Sequence, residues 1–424
     1  MIINSNIVGI IADDLTGAND TALQFHLKGA NTQILLSDEI EPLNIKNTQT
    51  WAISTESRNV EPEAAYEKVL KASKMLQEKL NPDFFYKKID STVRGNIAVE
   101  VLGILAALDY DASIVLPAFP AETRTTVGGY HLLRGIPIER TEMARDPHSP
   151  IFESHLPTLL KSQLLPEYQN LIGQIELKTV MKGAGPVLQR IKELISEGKK
   201  LIITDAVSTV DIEQVALAIK KCDCKILPAG TAAFAQALSE YWFADLDSEH
   251  IIKTFPRLPK LIISGSATQI TANQIEKLEN SDEFDDILSI RLDIKKELVD
   301  RIVSNLRFEN TVVVHTSNLI KEFDGFSEDS LNAELTKANL ATVITDFLAE
   351  LTRRVLARKE AILITLGGET SYKCCSAIGA YQLQLIDEVA PAIALTLDHN
   401  AQWIVTKSGN LGNANTLIDI LRYF

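Results

Sequence analysis

Short runs of apolar residues, many of them β-branched, alternate along this chain with longer stretches whose apolar residues recur every three or four positions. The short runs predict buried strands, and the longer stretches predict amphipathic helices. The clearest predicted strands are Ile7–Ala12, Thr32–Leu36, Phe84–Lys88, Ile114–Leu116, Leu201–Thr204, Leu261–Ser264, Thr311–His315 and Ala361–Thr365. This alternation is typical of an α/β fold in which mostly parallel sheets are flanked by helices.

The longest helical pattern covers about residues 331–357. Its apolar positions form one stripe, which consists of Leu335, Val343, Phe347, Leu351 and Val355. A stripe of this kind predicts a helix that packs one face against the core.

The alternation is interrupted between residues 244 and 259, where charged residues and two prolines cluster. A chain of 424 residues is also longer than one hydrophobic core commonly serves. We therefore expect two α/β lobes, residues 1–245 and 258–424, each a mostly parallel sheet flanked by helices. Two such lobes favour an active site in the cleft between them, where water can be excluded from a reaction.

Composition narrows the class of protein. Apolar residues make up 46% of the chain and charged residues 23%, as in ordinary globular proteins. The formal net charge of −14 argues against nucleic acid or an anionic membrane as a partner. The sequence predicts neither a signal peptide nor a membrane-spanning helix, so we expect a cytoplasmic protein. Homo-oligomer formation is left open.

The four cysteines form two close pairs, Cys222/Cys224 and Cys374/Cys375. Neither pair has the spacing of a structural zinc site, so we expect reduced thiols. The sequence names no metal ligands.

The first candidate motif is IIADDLTGAND, residues 10–20. Asp13 and Asp14 follow a buried strand, at the sheet edge where α/β proteins bind ligands. One carboxylate can then contact a substrate while the other braces the loop. The alternative is that both aspartates only cap a helix or form a turn. An aspartyl-phosphate type of phosphatase is disfavoured, because Leu15 stands where its second carboxylate would lie.

The second candidate motif is YKKIDSTVRGN, residues 86–96. Lys88, Asp90, Ser91 and Arg94 crowd into one loop between a strand and a helix. An arginine fork and a helix N-terminus can hold a carboxylate, and Asp90 can accept hydrogen bonds from substrate hydroxyls. The alternative is an exposed set of ion pairs next to a helix cap.

Two further segments belong to the same predicted site. Residues 54–58, STESR, follow another strand and offer Arg58. Residues 117–150 form a long irregular segment that contains Arg124, two glycines and His131. Long loops in compact domains are commonly functional, and His131 is either a substrate contact or a structural hydrogen-bonding group.

The second half of the chain has three glycine-containing turns after predicted strands, and their sequences are SGSAT (264–268), LGGET (366–370) and KSGNLG (407–412). Glycines at such turns let backbone amides approach phosphate oxygens. None matches the P-loop or the Rossmann fingerprint, so each taken alone could be an ordinary turn. The candidate nucleotide-binding residues are Ser264, Ser266, Gly367, Gly368, Glu369, Thr370, Lys407, Gly409 and Gly412.

In this order and spacing, ADDLTGAND, KKIDSTVRGN, TEMARDPHSP, SGS, GGET and KSGNLG resemble the four-carbon acid sugar kinases, the DUF1537 family. That resemblance implies a sugar-acid-binding domain, a nucleotide-binding domain, and ATP-dependent phosphorylation of the terminal 4-hydroxyl of D-threonate, D-erythronate or a 3-oxo-tetronate, of which we favour D-threonate. It implies that ATP is the phosphoryl donor and Mg²⁺ the cofactor. The substrate-binding candidates are Asp13, Asp14, Arg58, Lys88, Asp90, Ser91, Arg94 and His131.

As a mechanism we expect Arg58, Lys88 and Arg94 to recognise the carboxylate and the transferred phosphoryl group. Asp14, or failing it Asp90, would orient or deprotonate the attacking hydroxyl. Asp14, Asp90 and Arg94 are therefore the catalytic candidates. Two rival classes are a sugar-acid sensor without turnover and a hydroxy-acid dehydrogenase, and the second is disfavoured because GxGxxG is missing.

Overall fold

The computed structural model describes residues 6–37, 47–146, 149–244, 246, 255–281, 283, 287–291, 298–307, 310–316 and 337–424. The chain divides into two compact units. The first consists of residues 1–33 and 40–248, and the second of residues 34–39 and 249–424.

The first unit alternates strands with helices. Its strands are β1 (Val8–Ala12), β2 (Thr32–Leu35, within which the division of the units falls), β3 (Thr50–Ser54), β4 (Phe84–Lys88), β5 (Ala112–Leu116), β6 (Arg124–Val127), β7 (Tyr130–Leu133), β8 (Ile136–Pro137), β9 (Ile172–Ile175), β10 (Leu201–Thr204) and β11 (Ile226–Gly230). Its helices are α1 (Leu15–His26), α2 (Pro62–Leu80), α3 (Ile97–Ala107), α4 (Leu156–Ser162), α5 (Leu177–Val180), α6 (Ala184–Ser196), α7 (Thr209–Lys220) and α8 (Ala232–Trp242).

The main sheet of the first unit is parallel, in the order β3-β1-β4-β11-β5-β10-β9. From β1 the chain first builds β3 on one side and later β4 on the other. The last residue of β1, Ala12, pairs with Ser54 of β3 and with Lys88 of β4. The loops that follow these three strands therefore leave the same sheet edge at a topological switch point, where open α/β sheets bind ligands.

A small antiparallel sheet, β6-β7-β8, is formed by the irregular segment that the sequence analysis singled out. Thr126 of β6 pairs with His131 of β7. Both side chains are fully buried on the same face. On the opposite face, Val127 is 40% exposed and Tyr130 is 52% exposed. The small sheet therefore has one buried face and one solvent-facing face.

The second unit has a sheet in the order β13-β14-β12-β15-β18-β17-β16. Its strands are β12 (Lys260–Ser264), β13 (Ile287–Arg291), β14 (Thr311–His315), β15 (Ile362–Leu366), β16 (Gln382–Ala390), β17 (Ile393–Asp398) and β18 (Trp403–Lys407). Its helices are α9 (Gln269–Glu279), α10 (Leu298–Asn305), α11 (Lys337–Leu356), α12 (Gly368–Ala377) and α13 (Thr416–Tyr423).

The first five strands of that order are parallel, and β17 and β16 join antiparallel. After β12 the chain builds β13 and β14 on one side and β15 on the other, which creates a second switch point. The strand ends Ser264 and Leu366 pair there, and Leu366 also pairs with Lys407 of β18. The three glycine-containing turns of the sequence analysis thus begin at one edge of this sheet.

The predicted fold class is confirmed: both units are α/β, with mostly parallel sheets flanked by helices. The stripe predicted on the long helix is wrong in part. Val343 is 58% exposed, whereas Leu351 and Val355 are buried. Steps of four residues drift by about 40° each around a helix, so Val343 lies far around the surface from Val355. Leu335 lies outside the described residues.

No helix in the described residues combines the length and hydropathy that crossing a membrane requires.

Candidate active site

Arg58 is the centre of a charge cluster at the switch point of the first unit. Its Nε donates to Asp13 Oδ2 at 2.6 Å, and its Nη1 donates to Asp14 Oδ2 at 2.8 Å. Its Nη2 lies 4.0 Å from Asp90 Oδ1. The Arg58 side chain is only 13% exposed. The loops after β1, β3 and β4 are therefore joined by one guanidinium group.

Asp14 has a structural contact as well as a candidate chemical role. It is the N-cap of α1, where Oδ1 accepts from the Gly17 amide at 2.8 Å and Oδ2 accepts from the Thr16 hydroxyl at 2.9 Å. A Cβ atom at Gly17 would lie 2.5 Å from Asp14 Oδ1 and 3.1 Å from Lys88 Nζ. Gly17 therefore leaves room for both charged groups beside the helix N-terminus.

Arg94 holds a second set of carboxylates. Its Nε and Nη2 donate to the two carboxylate oxygens of Asp90, at 2.7 and 3.2 Å, and its Nη1 donates to Asp146 Oδ2 at 2.8 Å. The Thr92 hydroxyl also donates to Asp90. Because Asp146 follows the short helical turn Glu142–Arg145, this ion pair fastens the irregular segment to the loop after β4.

The arginines keep these carboxylates charged in spite of burial. Burial raises the pKa of Asp13, but the charges of Arg58 and Lys87 outweigh it and leave that pKa below its ordinary value. Burial likewise opposes ionisation of Asp90, yet Arg94 and Arg58 hold its pKa well below the usual range. Asp90 is consequently a poor proton acceptor near neutral pH.

A buried ion pair lies next to this cluster. Lys87 Nζ lies 2.7 Å from Glu100 Oε2 of α3, and the two side chains are 0% and 2% exposed. Burial raises the pKa of Glu100, an effect that Lys87 opposes. A pair that is so fully buried joins β4 to α3 and supports the loop between them, which carries Asp90 and Arg94.

Glu56 is a site residue that the sequence analysis did not select. Its Oε1 accepts from the Leu15 amide at 3.0 Å and from the Ser54 hydroxyl at 2.6 Å. Its backbone has a positive φ of 45°. Burial raises the pKa of Glu56 to about 7, and the nearby charge of Asp14 adds to that rise. Glu56 thus connects the end of β3 to the first residue of α1, directly after Asp14.

His131 is placed behind the loop that follows β4. Its Nε2 donates to the Ser91 carbonyl at 2.9 Å, and its Nδ1 accepts from the Thr126 hydroxyl at 3.0 Å, which is the only tautomer that satisfies a carbonyl acceptor. Burial lowers the pKa of His131 to about 4, so the ring is neutral at physiological pH. Both ring nitrogens of His131 are engaged by the protein. The geometry therefore favours a structural role for His131 over a substrate contact.

The glycine turns of the second unit meet through short contacts. The hydroxyls of Thr268 and Thr271, at the start of α9, donate to the Gly409 carbonyl at 2.6 and 2.9 Å. A Cβ atom at Gly409 would lie 2.5 Å from Ser266 Oγ. Gly367 caps α12 with a positive φ of 109°. The Gly367 amide donates to the Lys407 carbonyl at 2.8 Å, and a Cβ atom at Gly265 would lie 2.5 Å from Thr370 Oγ1, so the turns after β12, β15 and β18 lie together. These three turns contain the candidates Ser264, Ser266, Gly367, Gly368, Glu369, Thr370, Lys407, Gly409 and Gly412.

Lys407 is the most unusual residue of these turns. Its side chain is fully buried, and its Nζ donates to the Ser408 carbonyl at 2.8 Å. Among the residues that the structure describes, no carboxylate forms an ion pair with it. Burial lowers the pKa of Lys407 to about 7.

Within the first unit, the structure brings Asp13, Asp14, Arg58, Asp90 and Arg94 into one network. Lys88 is 5% exposed, so the alternative of exposed ion pairs does not hold for this loop. The N-cap position of α3 is Asn96, whose side chain makes no capping hydrogen bond, so the hydroxyls of Ser91 and Thr92 do not occupy that position either. Asp146 could not be found from local pattern, because its partner Arg94 lies 52 residues away.

Comparisons with known proteins agree with this two-part arrangement. A family model described as a sugar-binding N-terminal domain matches residues 8–238, and one described as a nucleotide-binding C-terminal domain matches residues 261–417. A D-erythronate kinase of Heliobacterium modesticaldum is 30% identical, over 99% of this chain and 97% of its own length. A D-threonate kinase of Salmonella typhimurium is 29% identical, over 98% and 97%. A 3-oxo-tetronate kinase of Cupriavidus necator is 27% identical, over 98% and 96%.

Solved structures share the fold. A Salmonella typhimurium protein superposes with a TM-score of 0.79 at 22% identity, covering 98% of this chain and 99% of that one. A Haemophilus influenzae protein gives a TM-score of 0.73 at 23% identity, covering 98% of both chains.

A sugar-binding domain followed by a nucleotide-binding domain, in a chain with kinase relatives over nearly its full length, defines an ATP-dependent kinase. The chain belongs to the family of four-carbon acid sugar kinases.

Proposed function

We propose that this kinase phosphorylates the terminal 4-hydroxyl of a four-carbon sugar acid, with D-threonate as the first candidate and D-erythronate or a 3-oxo-tetronate as the alternatives. The observation that carries the proposal is the aspartate–arginine network at the switch point of the first unit, within the region that the sugar-binding family model matches. Residues 1–245 would bind the acid and residues 258–424 the nucleotide.

Asp14 is the proposed proton acceptor for the attacking hydroxyl. Asp90 is held from both oxygens by Arg94 and has a depressed pKa, so it serves better to orient Arg94 than to remove a proton. Asp13 would brace Arg58 through their 2.6 Å hydrogen bond. Phosphoryl transfer needs in-line positioning and charge neutralisation more than covalent chemistry, and such a rigid network provides positioning.

Lys88 and Ser91 are the proposed direct contacts to the acid. The Lys88 ammonium group lies beside the N-terminus of α1 and donates to the Ile89 carbonyl at 2.9 Å, which uses one of its three protons. The Ser91 carbonyl is fixed by His131, which holds the loop in place. The Lys88 ammonium group and the Ser91 hydroxyl can then donate to hydroxyl or phosphoryl oxygens of a small anionic substrate.

The glycine turns of the second unit are proposed to hold the polyphosphate of ATP. Mg²⁺ needs few protein ligands in kinases, because phosphate oxygens and waters fill most of its coordination sphere. Glu369, in the first turn of α12, is the carboxylate of these turns that we propose would hold it. In this structure its Oε1 accepts from the Thr345 hydroxyl at 3.1 Å and lies 3.1 Å from Lys373 Nζ, so binding Mg²⁺ would require an exchange of these contacts. When bound, Mg²⁺ supplies charge neutralisation to the phosphate oxygens.

A coupled ADP-release assay tests the proposal. Mg·ATP would be incubated with D- and L-threonate, D- and L-erythronate and 3-oxo-tetronates, with tetritols as uncharged controls. Turnover of one acid would establish the activity and name its substrate. Binding of an acid by calorimetry without turnover of any member would refute it and favour a sugar-acid sensor.

Lys407 gives this proposed nucleotide site a testable pH dependence. A polyphosphate beside Lys407 would stabilise its ammonium form and raise its pKa from about 7, so binding would take up a proton above that pH. We expect ATP affinity to fall as the pH rises from about 7 to about 9. Calorimetry at alkaline pH in buffers of different ionisation enthalpy measures the uptake.

The matched variant is Lys407→Arg, which stays charged over this range and should lose the proton uptake. ATP binding by the unmodified protein without any uptake at alkaline pH would contradict the prediction.

A further inference from the structure

The two arginines of the aspartate network are already committed to protein carboxylates. Asp13, Asp14, Asp90 and Asp146 accept hydrogen bonds from Arg58 and Arg94, so four negative charges face two guanidinium groups. The Lys88 ammonium group beside Asp14 adds a third positive charge, which still leaves the carboxylates in excess. A sugar acid that enters this cluster adds a further carboxylate. Its binding therefore calls for a cation that the aspartates do not already neutralise.

Arg124, the first residue of β6, is a candidate for that cation. Its side chain is 11% exposed, and its Nε is buried without a hydrogen-bond acceptor among the described residues. Its Nη1 donates to the Glu122 carbonyl at 2.8 Å and to Glu122 Oε2 at 3.1 Å. A buried guanidinium N–H without an acceptor is costly unless a ligand supplies one.

The strand pairing of the small sheet shows which way Arg124 faces. Side chains alternate along a strand, so Arg124 and Thr126 lie on the same face of β6. The paired residues on β7 are Leu133 and His131, and both are buried on that face. Because His131 donates to the Ser91 carbonyl, this face of the small sheet packs against the loop after β4.

Electrostatics agree with that orientation. After burial and the hydrogen bond to Ser91, the positive charge of Arg124 and the negative charge of Asp90 are the next influences on the pKa of His131, and they act in opposite directions. Both charges thus lie near the same imidazole ring, which places Arg124 on the side of the small sheet that faces Asp90.

We propose that Arg124 binds the carboxylate of the sugar acid, while Arg58 and Arg94 hold the aspartates that surround the substrate. This inference rests on the proposed function. The buried Nε of Arg124 and one Nη group form the planar fork that recognises a carboxylate with two parallel hydrogen bonds. The charge of the acid, rather than its hydroxyl pattern, is what Arg124 would recognise.

The test compares Arg124→Gln with the unmodified protein on two ligands, the acid that is turned over and its primary amide, which has the same length without the charge. For the acid, kcat/KM should fall about 10- to 100-fold, mainly through KM, as expected for a lost charge-assisted pair. For the amide the change should stay below about threefold. Arg124→Lys keeps the charge but not the planar fork. Its kcat/KM for the acid should lie between the values of the unmodified protein and of Arg124→Gln.

Arg134→Gln is the matched control, because Arg134 is 51% exposed and pairs with Glu142 at the surface. The Arg134→Gln protein should have the same kcat/KM as the unmodified protein for both the acid and the amide. The proposal would be overturned if Arg124→Gln lowered kcat/KM equally for the acid and the amide, or lowered it for neither. If the unmodified protein turns over no four-carbon acid, the proposed function fails on its own, and calorimetric binding of the acid and the amide to the same variants still decides the part played by Arg124.

Discussion

Changing Asp14 to Asn is expected to lower kcat by about 10²- to 10⁴-fold while the protein stays folded. The fold should survive at reduced stability, because the change removes one buried ion pair of Arg58 but leaves its pair with Asp13. Asn is also as good an N-cap as Asp and can still accept from the Gly17 amide. Phosphoryl transfer should slow, since a neutral amide cannot take the proton of the attacking hydroxyl. Steady-state ADP release, with thermal unfolding measured in parallel, gives both quantities.

The control for this change is Asp109→Asn, an exposed position whose carboxylate pairs only with Lys225 among its described ion pairs. It should leave kcat unaltered. A folded Asp14→Asn protein that keeps kcat within about threefold of the original would show that Asp14 is not the proton acceptor. Glu56 would then be the next carboxylate to change, because its pKa of about 7 suits proton transfer near neutral pH.

Changing Arg58 to Met is expected to reduce the free energy of unfolding of the first unit by about 3–5 kcal/mol. The methionine would leave Asp13 and Asp14 buried without the guanidinium group that joins them. Removing one member of a buried ion pair costs more than the pair itself contributes, since the remaining charge loses its compensation. Urea unfolding followed by tryptophan fluorescence measures the loss.

The pH dependence of that loss identifies its cause. With Arg58 present, the pKa of Asp13 is lowered, so the stabilisation is present above the unfolded-state pKa and is lost as the pH falls through the folded value. Without Arg58, burial would raise the pKa of Asp13, and the variant would be least destabilised at mildly acidic pH. Arg190→Met, which removes exposed ion pairs of α6, should cost less than about 1 kcal/mol. An Arg58→Met loss no larger than that would refute the argument.

The sequence was sufficient to find the loops of the candidate site, because polar clusters directly after apolar strands stand out in any α/β pattern. It could not show that Ala12 pairs with both Ser54 and Lys88, since strand order depends on the packing of the whole sheet. That pairing is what brings Asp13 and Arg58 together across 45 residues.

Other features gave no local signal at all. Glu56 lies in a left-handed backbone conformation that is uncommon for glutamate. The letters STESR do not indicate that conformation, so they do not distinguish Glu56 from a surface residue. The role proposed for Arg124 rests on an Nε without a hydrogen-bond acceptor among the described residues and on the pairing of β6 with β7, neither of which has a sequence pattern. The exposure of Val343 was not predictable for the same reason. Its place on the helix surface depends on which residues define the buried face, and that is set by packing.

The assignment of residues 34–39 to the second unit has a practical consequence for dissecting this protein. The backbone N–H of Leu36 donates to the carbonyl of Tyr381, so the second unit includes a piece of chain from far upstream. No single cut can then yield two complete fragments. A fragment that begins at residue 249 would lack residues 34–39 and would leave the Tyr381 carbonyl without the Leu36 N–H from which it accepts. Measurements on the nucleotide half are therefore better made in the uncut chain, with the acid site silenced by substitution.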